Sequence, residues 1–480
     1  MYIVFPTLEI APFINGGIGQ YISQIINYLQ SSEYTPLILL YGIPEITAIK
    51  AREYFDSSSL KCEIYHINEF ADIQLNSEDI YHVEKTSLAL AEGLKKIMAD
   101  KNIVGVEWCE HGGMGFHTLR DKHFNPDSVF KNIPIWVHLH GSREIWDLTD
   151  RYPVALDVSN DYILSNYAER FCLELADAWK SPSQSVADWY TSYFGIHNQV
   201  FISLLPYRKL AERNSHRVIN HPQLPLKILC PGRIVHLKGT DVIARACERI
   251  CQTFPEQIYV TFAGYNLATT NSKYRSYLDE VKSFISAKFL KYFSFSGQYL
   301  AEEYLNIAQE SHLAIFASRV ETFCLAAHEL NWIGVPLVLA DIPAFKEHFQ
   351  HGVNCYKFDG SVEGLTALLS QIVQNPEMLN QIASNPVLDF DIDVFNQLVK
   401  VPQISKVTAN YFLFTRLQEI HVQPGKIYAN NFKDLSVFNL KVLILAIVWK
   451  ITKRLADKIS LPVPMRIYIK GVLKKNNAFQ

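Results

Sequence analysis

The stretch from Ser318 to Glu329 reads SRVETFCLAAHE and carries two carboxylates, Glu321 and Glu329, eight residues apart. The apolar run HLAIFAS just before it, His312 to Ser318, reads as a buried strand, and helical character follows Glu321 as far as Gly334. On this reading the first acid lies at a strand-to-helix turn and the second two turns into the helix. At about 100° per residue, eight residues rotate the second position by only about 80° from the first, so both acids can face one crevice. The free N–H groups of a first helical turn point into the same crevice and suit a phosphate. Carboxylates for sugar hydroxyls beside amides for a pyrophosphate are the parts of a nucleotide-sugar site. Two glutamates at this spacing also occur as solvated helix charges, so the pair needs support from the rest of the chain.

Three other segments offer complementary chemistry. PGRIVHLKGTDVIARAC begins at Pro231 and places Arg233 and Lys238 between a strand end and a helix opened by Gly239 and Thr240. A guanidinium fork and an ammonium can together neutralise a diphosphate, and fixed cations behind a departing diphosphate lower the barrier to its loss. The same pair also suits an ordinary positively charged loop. APFINGGIGQYISQIINYL puts Gly16, Gly17 and Gly19 between a first strand and a first helix, where glycines let a ligand approach the backbone. The dinucleotide fingerprint is incomplete because position 22 is Ile, and a purely structural tight turn stays open. WVHLHGSREIW ends a strand at His140, which would face the ligand crevice. His138 shares its strand face, and either could be a structural histidine. Other motifs fail. His111-Gly112-Gly113 has no G-x-S-x-G partner, and Trp332 stands where a zincin pattern starting at His328 needs its second ligand. His348 and His351 read as surface residues.

Elements that could position these groups follow from length and patterning. With 480 residues and 49% apolar content, the chain is too long for one ordinary core and suits two large domains. A net charge of −3 argues against a general nucleic-acid binder. Eight scattered cysteines without a C-x-x-C pair fit reduced thiols in a cytosolic protein. The start, MYIVFPTLEI, lacks a basic region and a long apolar core and reads as a strand. Strands are expected at Tyr2 to Thr7, Pro36 to Tyr41, Cys62 to Ile67, Ile103 to Trp108 and Ile133 to His140, with helices such as Gln20 to Gln30, Ser87 to Ala99 and Tyr162 to Ala176. Ser183 offers a helix N-cap. A second series runs through Lys227 to Cys230, Ile258 to Gly264, Tyr292 to Gly297, Leu313 to Ser318, Pro336 to Ala340 and Cys355 to Asp359. Alternation of this kind implies α/β architecture: two doubly wound parallel sheets, Rossmann-like, with a cleft between their strand ends. The division is a first domain at 1–205, a linker at 206–225, a second domain at 226–384 and an extension at 385–480 that can return to brace the first domain.

Taken together, these segments resemble the family-four (group 1) glycosyltransferases of the GT-B fold. The resemblance covers most of Met1 to about Gln374 and is strongest from Pro231 to Asp359. There GRIVHLKGTDVI, VTFAG, FSGQYLAEEYLNIAQESHLAIFASRVETFCLAAHE and GVPLVLADIPAFKEHFQHGVNCYKF follow in order. INGGIGQYISQIINYL, HLHGS and ADAWKSPSQSV match in the first half. The resemblance implies that the first domain is the acceptor-side one and the second the nucleotide-sugar-binding one, and that Arg233 and Lys238 hold a donor diphosphate. It gives Glu321 the hydroxyls of the transferred sugar, with Thr322 beside it and the backbone amides of Phe323, Cys324 and Leu325 assisting. Glu329 would hold the ribose, Gly16 and Gly17 would face the phosphates, and His140 would face the sugar. It further implies transfer to a glycan or lipid-linked acceptor with retention, no catalytic metal and no cofactor beyond the donor substrate. Cys324 and Cys355 depart from the family's usual glycines. A nucleotide-sugar epimerase and a silent, nucleotide-binding partner subunit are the competing readings.

The tail from Ser436 to Gln480 has nine Lys or Arg against one acid, Asp457, which gives it +8 and leaves −11 for the rest of the chain. Lys450, Lys453, Arg454 and Lys458 follow the apolar run Val442 to Trp449 and fall within about 140° on a helix. The run is too short to span a bilayer. It suits a peripheral contact at the inner, cytoplasmic membrane face, and equally a C-terminal helix packed on the first domain with a solvated basic face.

Overall fold

The computed structural model describes residues 1–402 apart from 15, 77–78, 80–81, 150–159, 212–224, 267–273, 298, 300 and 383–390. The basic tail, and most of the proposed linker and C-terminal extension, lie outside the described residues.

Short apolar runs such as TPLILL, buried at every position, are what a parallel strand covered on both faces requires. Seven strands build the first sheet: β1 (Tyr2–Thr7), β2 (Thr35–Leu40), β3 (Glu63–His66), β4 (Ile103–Cys109), β5 (Ile135–His138), β6 (Ala178–Ser181) and β7 (Val200–Ile202). Their order is β3-β2-β1-β4-β5-β6-β7. The second sheet has β8 (Leu226–Pro231), β9 (Ile258–Ala263), β10 (Phe293–Phe295), β11 (Leu313–Phe316), β12 (Leu337–Ala340) and β13 (Tyr356–Phe358), in the order β10-β9-β8-β11-β12-β13. Every ladder is parallel. The sequence reading anticipated all but β6 and β7; β6 ends in the polar pair Lys180-Ser181, and β7 is a three-residue, partly exposed strand.

The helices of the first lobe are α1 (Gly17–Tyr28), α2 (Glu45–Ser57), α3 (Val83–Asp100), α4 (Phe116–Phe124), α5 (Arg143–Thr149), α6 (Asn160–Leu175) and α7 (Gln184–Phe194). Those of the second are α8 (Thr240–Thr253), α9 (Tyr277–Lys282), α10 (Ala301–Glu310), α11 (Leu325–Trp332) and α12 (Val362–Gln374). Ser183 caps α7 as expected, its hydroxyl accepting the Val186 N–H. In each sheet the strand order reverses at one place, β1/β4 in the first and β8/β11 in the second. Connections leave such a point in opposite directions and open a crevice at the strand C-termini. The Gly16–Gly17 turn follows β1, Arg233 and Lys238 follow β8, and Glu321 follows β11, so the topology delivers the candidate groups to these two crevices.

A last short helix, α13 (Asp393–Leu398), packs on the first lobe after the chain has completed the second. Phe395 is fully buried there, edge-on to Phe5 at 6.1 Å and 6.2 Å from the Trp136 ring. Asn396 accepts a hydrogen bond from the Tyr34 hydroxyl at 2.9 Å. Residues 393–398 therefore brace the first lobe.

One buried acid organises the loops above β4 and β5. Glu169 on α6 accepts the Gly112 N–H at 2.6 Å, the Arg143 N–H at 3.1 Å and the Ser142 hydroxyl at 2.9 Å. Gly112 has φ of 76°, a conformation that favours glycine. Burial pushes the Glu169 carboxyl up from the ordinary 4.5 to about 8, against the bonds that favour its charged form. The unfolded chain loses this proton near 4.5 and the folded one near 8, so the folded state holds the extra proton in between. Stability contributed here is complete below the lower value and falls as pH rises through that window.

Two outcomes are expected. Phe395→Ala should lower unfolding free energy by about 3–5 kcal/mol in urea titration; a change within about 0.5 kcal/mol would show that α13 does not brace the first lobe. The melting temperature of the wild type should fall relative to that of Glu169→Gln between about pH 5 and pH 8, whereas parallel curves would remove the buried proton.

Candidate functional site

In the second lobe, β8 ends at Pro231 and the chain turns through Gly232 to Arg233. A 3₁₀ turn, His236–Lys238, then presents Lys238, and Gly239 follows at φ 66°. A Cβ on residue 239 would stand 1.9 Å from the Ala317 carbonyl oxygen, so only glycine lets this loop lie against the end of β11. That close approach brings the Lys238 ammonium onto Glu321 Oε1 in a direct ion pair. The Ser318 hydroxyl donates to the same oxygen at 2.8 Å. Arg233 and Lys238 line one small recess with Gly232, Thr240 and Ser318.

A clamp that the sequence reading missed holds the two loops together. Arg319 binds both oxygens of Asp241 at 2.9 Å and also donates to the His236 carbonyl. It thereby ties the Glu321 loop to the Lys238 turn and the first turn of α8. Arg319 and Asp241 each lie within three residues of a site group, but nothing in their spacing announces a pair 78 residues apart.

The Glu321–Leu325 stretch departs from its expected conformation. Glu321 lies in a loop, and α11 starts only at Leu325. The expected helical rotation between the two acids therefore does not operate, because Glu321 is aimed by Lys238 and Ser318. Cys324 caps the helix at φ 67° and ψ 72°, a left-handed conformation that is uncommon for a non-glycine residue. Phe323 turns inward, stacked 3.9 Å from the His328 ring and buried within the first-lobe core. Thr322 crosses the cleft, its hydroxyl donating to the His140 carbonyl at 3.1 Å. Glu329, one turn into α11, is buried and paired through both oxygens with Arg208, at 2.8 and 3.1 Å.

On the first-lobe side, the space against Gly16 is already filled. The Glu9 carboxylate occupies it, and a Cβ on residue 16 would stand 2.2 Å from Glu9 Oε2. That oxygen accepts the Gly19 N–H at 2.9 Å, in the first turn of α1. Burial raises the Glu9 carboxyl, while the Gly19 N–H and the charge of Arg233 across the cleft pull it down. A Cβ on residue 17 would meet nothing within 4 Å, so Gly17 leaves its face of the turn open. The sequence reading missed Glu9, whose only signal is an acid preceding the glycine turn. The Arg233 guanidinium itself rests over the first-lobe Trp146 ring at 5.7 Å.

His140 follows β5 and is fixed from below. Its backbone N–H meets both oxygens of buried Glu110 at 2.9 Å, and Glu110 Oε1 also takes the Gly141 N–H at 2.6 Å. Its ring lies 4.0 Å from the His138 ring and 5.0 Å from that of Tyr21. Burial drives the His140 imidazole well below its ordinary range, so it stands neutral in the cleft. His138 is lowered to about 4, first by burial and then by Lys180, and its Nδ1 lies 3.1 Å from Glu107 Oε1. His138 is thus the supporting histidine, and His140 the one nearer the cleft.

Glu107, His138 and His140 bring their ligand atoms within 4.8 Å of one another, a spacing open to a metal ion. The donor set does not fit one. Glu107 already serves Tyr21 at 2.5 Å, His138, Trp136 Nε1 at 2.7 Å and the Lys180 ammonium at 2.7 Å. Burial alone would raise the Glu107 carboxyl, but Lys180 and His138 hold it well below the usual carboxylate range. The internal ammonium thus fills the place of a cation.

The lobes meet at further contacts. Glu347 accepts the N–H groups of Gln184, at 3.1 Å, and Ser185 at the start of α7. His348, read from sequence as a surface residue, instead lies part-buried between the lobes, with its Nε2 3.3 Å from the Pro182 carbonyl oxygen. His351 stays exposed and accepts the Lys357 N–H at 2.9 Å.

Residues 211–386 match the family model described as glycosyl transferases group 1. No curated protein matches the chain by sequence. The fold is similar to that of sucrose-phosphate synthase from Thermosynechococcus elongatus, at a TM-score of 0.57 and 13% identity over 88% of this chain and 98% of that one. It is similar to Anabaena HepE in complex with UDP and glucose, with a TM-score of 0.51, 14% identity and coverage of 87% and 100%. The catalytic domain of starch synthase IV from Arabidopsis thaliana, bound to ADP and acarbose, gives 0.53 and 12% over 88% and 99%. The second lobe thus matches the glycosyl transferases group 1 model over residues 211–386, and the two facing parallel sheets have the GT-B fold of these glycosyltransferase structures.

Proposed function

We propose that the chain transfers a sugar from a nucleoside diphosphate sugar to a glycan or lipid-linked acceptor, with retention at the anomeric carbon. One observation carries this reading: Arg233, Lys238 and Glu321 converge at the β8/β11 crevice, with the neutral His140 joined to the same loop through Thr322. Arg233 and Lys238 would hold the diphosphate, Glu321 and the backbone amides of Phe323 to Leu325 the transferred sugar, and Glu329 the ribose. HepE with UDP-glucose and starch synthase IV with ADP support a nucleotide in this cleft. In the reaction the bond between the anomeric carbon and the diphosphate oxygen breaks, its electron pair leaves with the diphosphate, an acceptor hydroxyl oxygen bonds to the anomeric carbon, and the hydroxyl proton passes to the departing diphosphate. Two cations already in place stabilise that charge without reorganising. Lys238 is paired with Glu321 in the free protein, so an incoming diphosphate competes for the ammonium and releases the carboxylate to accept sugar hydroxyls. No step needs a metal or a further cofactor.

The base, sugar and acceptor are set by loop contacts. A thermal-shift panel of UDP, GDP and ADP sugars should show a rise in melting temperature for one base. Lys238→Ala and Glu321→Ala should each cut turnover about 100-fold to 1,000-fold; wild-type rates in both would remove the site. Product analysis without acceptor separates transfer from epimerisation, and absence of any turnover would favour a silent subunit.

Among the described residues no helix is long and apolar enough to cross a membrane. We further propose that the basic tail meets an anionic membrane surface and brings the cleft to a lipid-linked acceptor. Removing residues 436–480 should abolish co-sedimentation with anionic vesicles. Undiminished binding would assign the tail to the protein's own surface.

A further inference from the structure

Glu329 is the deepest acid of the donor site as proposed above, and it already has a partner. Arg208 Nε and Nη2 bind its two oxygens at 2.8 and 3.1 Å. A forked guanidinium takes the same paired lone-pair directions that a vicinal diol would use. Arg208 does not come from the second sheet. It belongs to the segment leaving β7, and that segment runs along α11. Tyr207 packs 5.5 Å from the His328 ring, the Lys209 ammonium lies 4.8 Å over Trp332, and Trp332 Nε1 donates to the Ala211 carbonyl at 2.9 Å. The helix that presents Glu329 is therefore also the surface on which the inter-lobe chain rests.

The two partners differ in freedom. The Arg208 side chain is 35% exposed and that of Glu329 only 4%, so the arginine is the one that can leave. Tyr304 on α10 adds an independent sign of another occupant. Its hydroxyl is buried without a hydrogen-bond partner, although it feels the charges of both Glu329 and Arg208. A buried hydroxyl left unpaired costs about 1–3 kcal/mol. A ligand hydroxyl arriving here would satisfy it.

This inference rests on the donor reading and deepens it. We propose that Arg208 is a displaceable internal occupant of the ribose seat. Donor binding exchanges its guanidinium for the 2′,3′-diol at Glu329, brings the Tyr304 hydroxyl a partner, and loosens the inter-lobe segment from α11. Arg208 thereby sets the affinity for ribonucleotides and links occupancy to the chain that joins the lobes. A nucleotide without the diol has no reason to displace it.

Calorimetric titration of the full chain tests this, using UDP, GDP and ADP and their 2′,3′-dideoxy forms. Arg208→Met should bind the preferred ribonucleotide about tenfold more tightly, a factor between those for exposed and buried pairs. Its affinity for the dideoxy form should stay at the wild-type value. Arg208→Lys, which keeps the charge but loses the fork, should move in the same direction by a smaller factor and carries the test if the Met variant is unstable. Weaker ribonucleotide binding in both variants, or an equal change for both ligand types, overturns the proposal. Lys238→Ala separates the two readings. If it loses binding while the Arg208 variants show no diol-dependent gain, only the displacement falls. If it binds as the wild type does, the diphosphate assignment falls. Absence of binding in every variant overturns both.

Discussion

The loop from Ser318 to Cys324 is anchored to both sheets at once, and the site depends on that double anchorage. From the second lobe, Lys238 and Ser318 hold Glu321, while Arg319 locks the loop to Asp241. From the first lobe, the His140 carbonyl takes the Thr322 hydroxyl, and the core accepts the Phe323 ring. Neighbouring residues of one short loop thus report to different domains. Any change in the distance between the lobes moves the carboxylate that would hold the sugar. The position of Glu321 is therefore tied to the separation of the lobes.

Beneath the first-lobe side lies a second constraint, a set of charges taken out of water. Glu107 and Lys180 are buried and paired, with Tyr21, Trp136 and His138 completing the hydrogen bonds. Such a pair contributes little net stability, but removing one member leaves an unpaired buried charge at a cost of about 3–5 kcal/mol. Its return is orientation. The network fixes His138, His138 supports the ring of His140, and Glu110 fixes the backbone on which that ring is carried. A neutral His140 beside the cleft keeps a donor and an acceptor available without adding a third positive charge opposite Arg233 and Lys238.

Cys324 shows how a departure from the family pattern is accommodated. The conformation at this position is the one glycine adopts freely, and here a cysteine holds it at φ 67°. Holding a non-glycine residue there costs about 1–3 kcal/mol. The surroundings that enforce it are the loop anchors on one side and the Ala327 N–H, which bonds to the Cys324 carbonyl at 3.0 Å, on the other. Burial and the neighbouring Glu321 raise the thiol well above its ordinary range. The side chain is thus a neutral, space-filling group at the helix start.

What the sequence settled by itself was periodic or local. Short runs rich in apolar residues marked eleven of the strands, and Gly16 and Gly239 stood where a backbone comes close to something. The order of Arg233, Lys238, Glu321 and Glu329 raised the nucleotide-sugar reading proposed above, because cations and acids near strand ends can be noticed without knowing their partners. The tertiary structure decided which of these groups are spoken for. It put Glu9 against Gly16, gave Glu329 to Arg208 and paired Lys238 with Glu321, contacts that span 7, 121 and 83 residues respectively. It also replaced a helical argument for the two acids with a loop held by both lobes. The physical reason is that alternation and turn chemistry act over a few neighbours along the chain. Charge pairing and close backbone approach are set by distance in space, and only the packed sheets determine that distance.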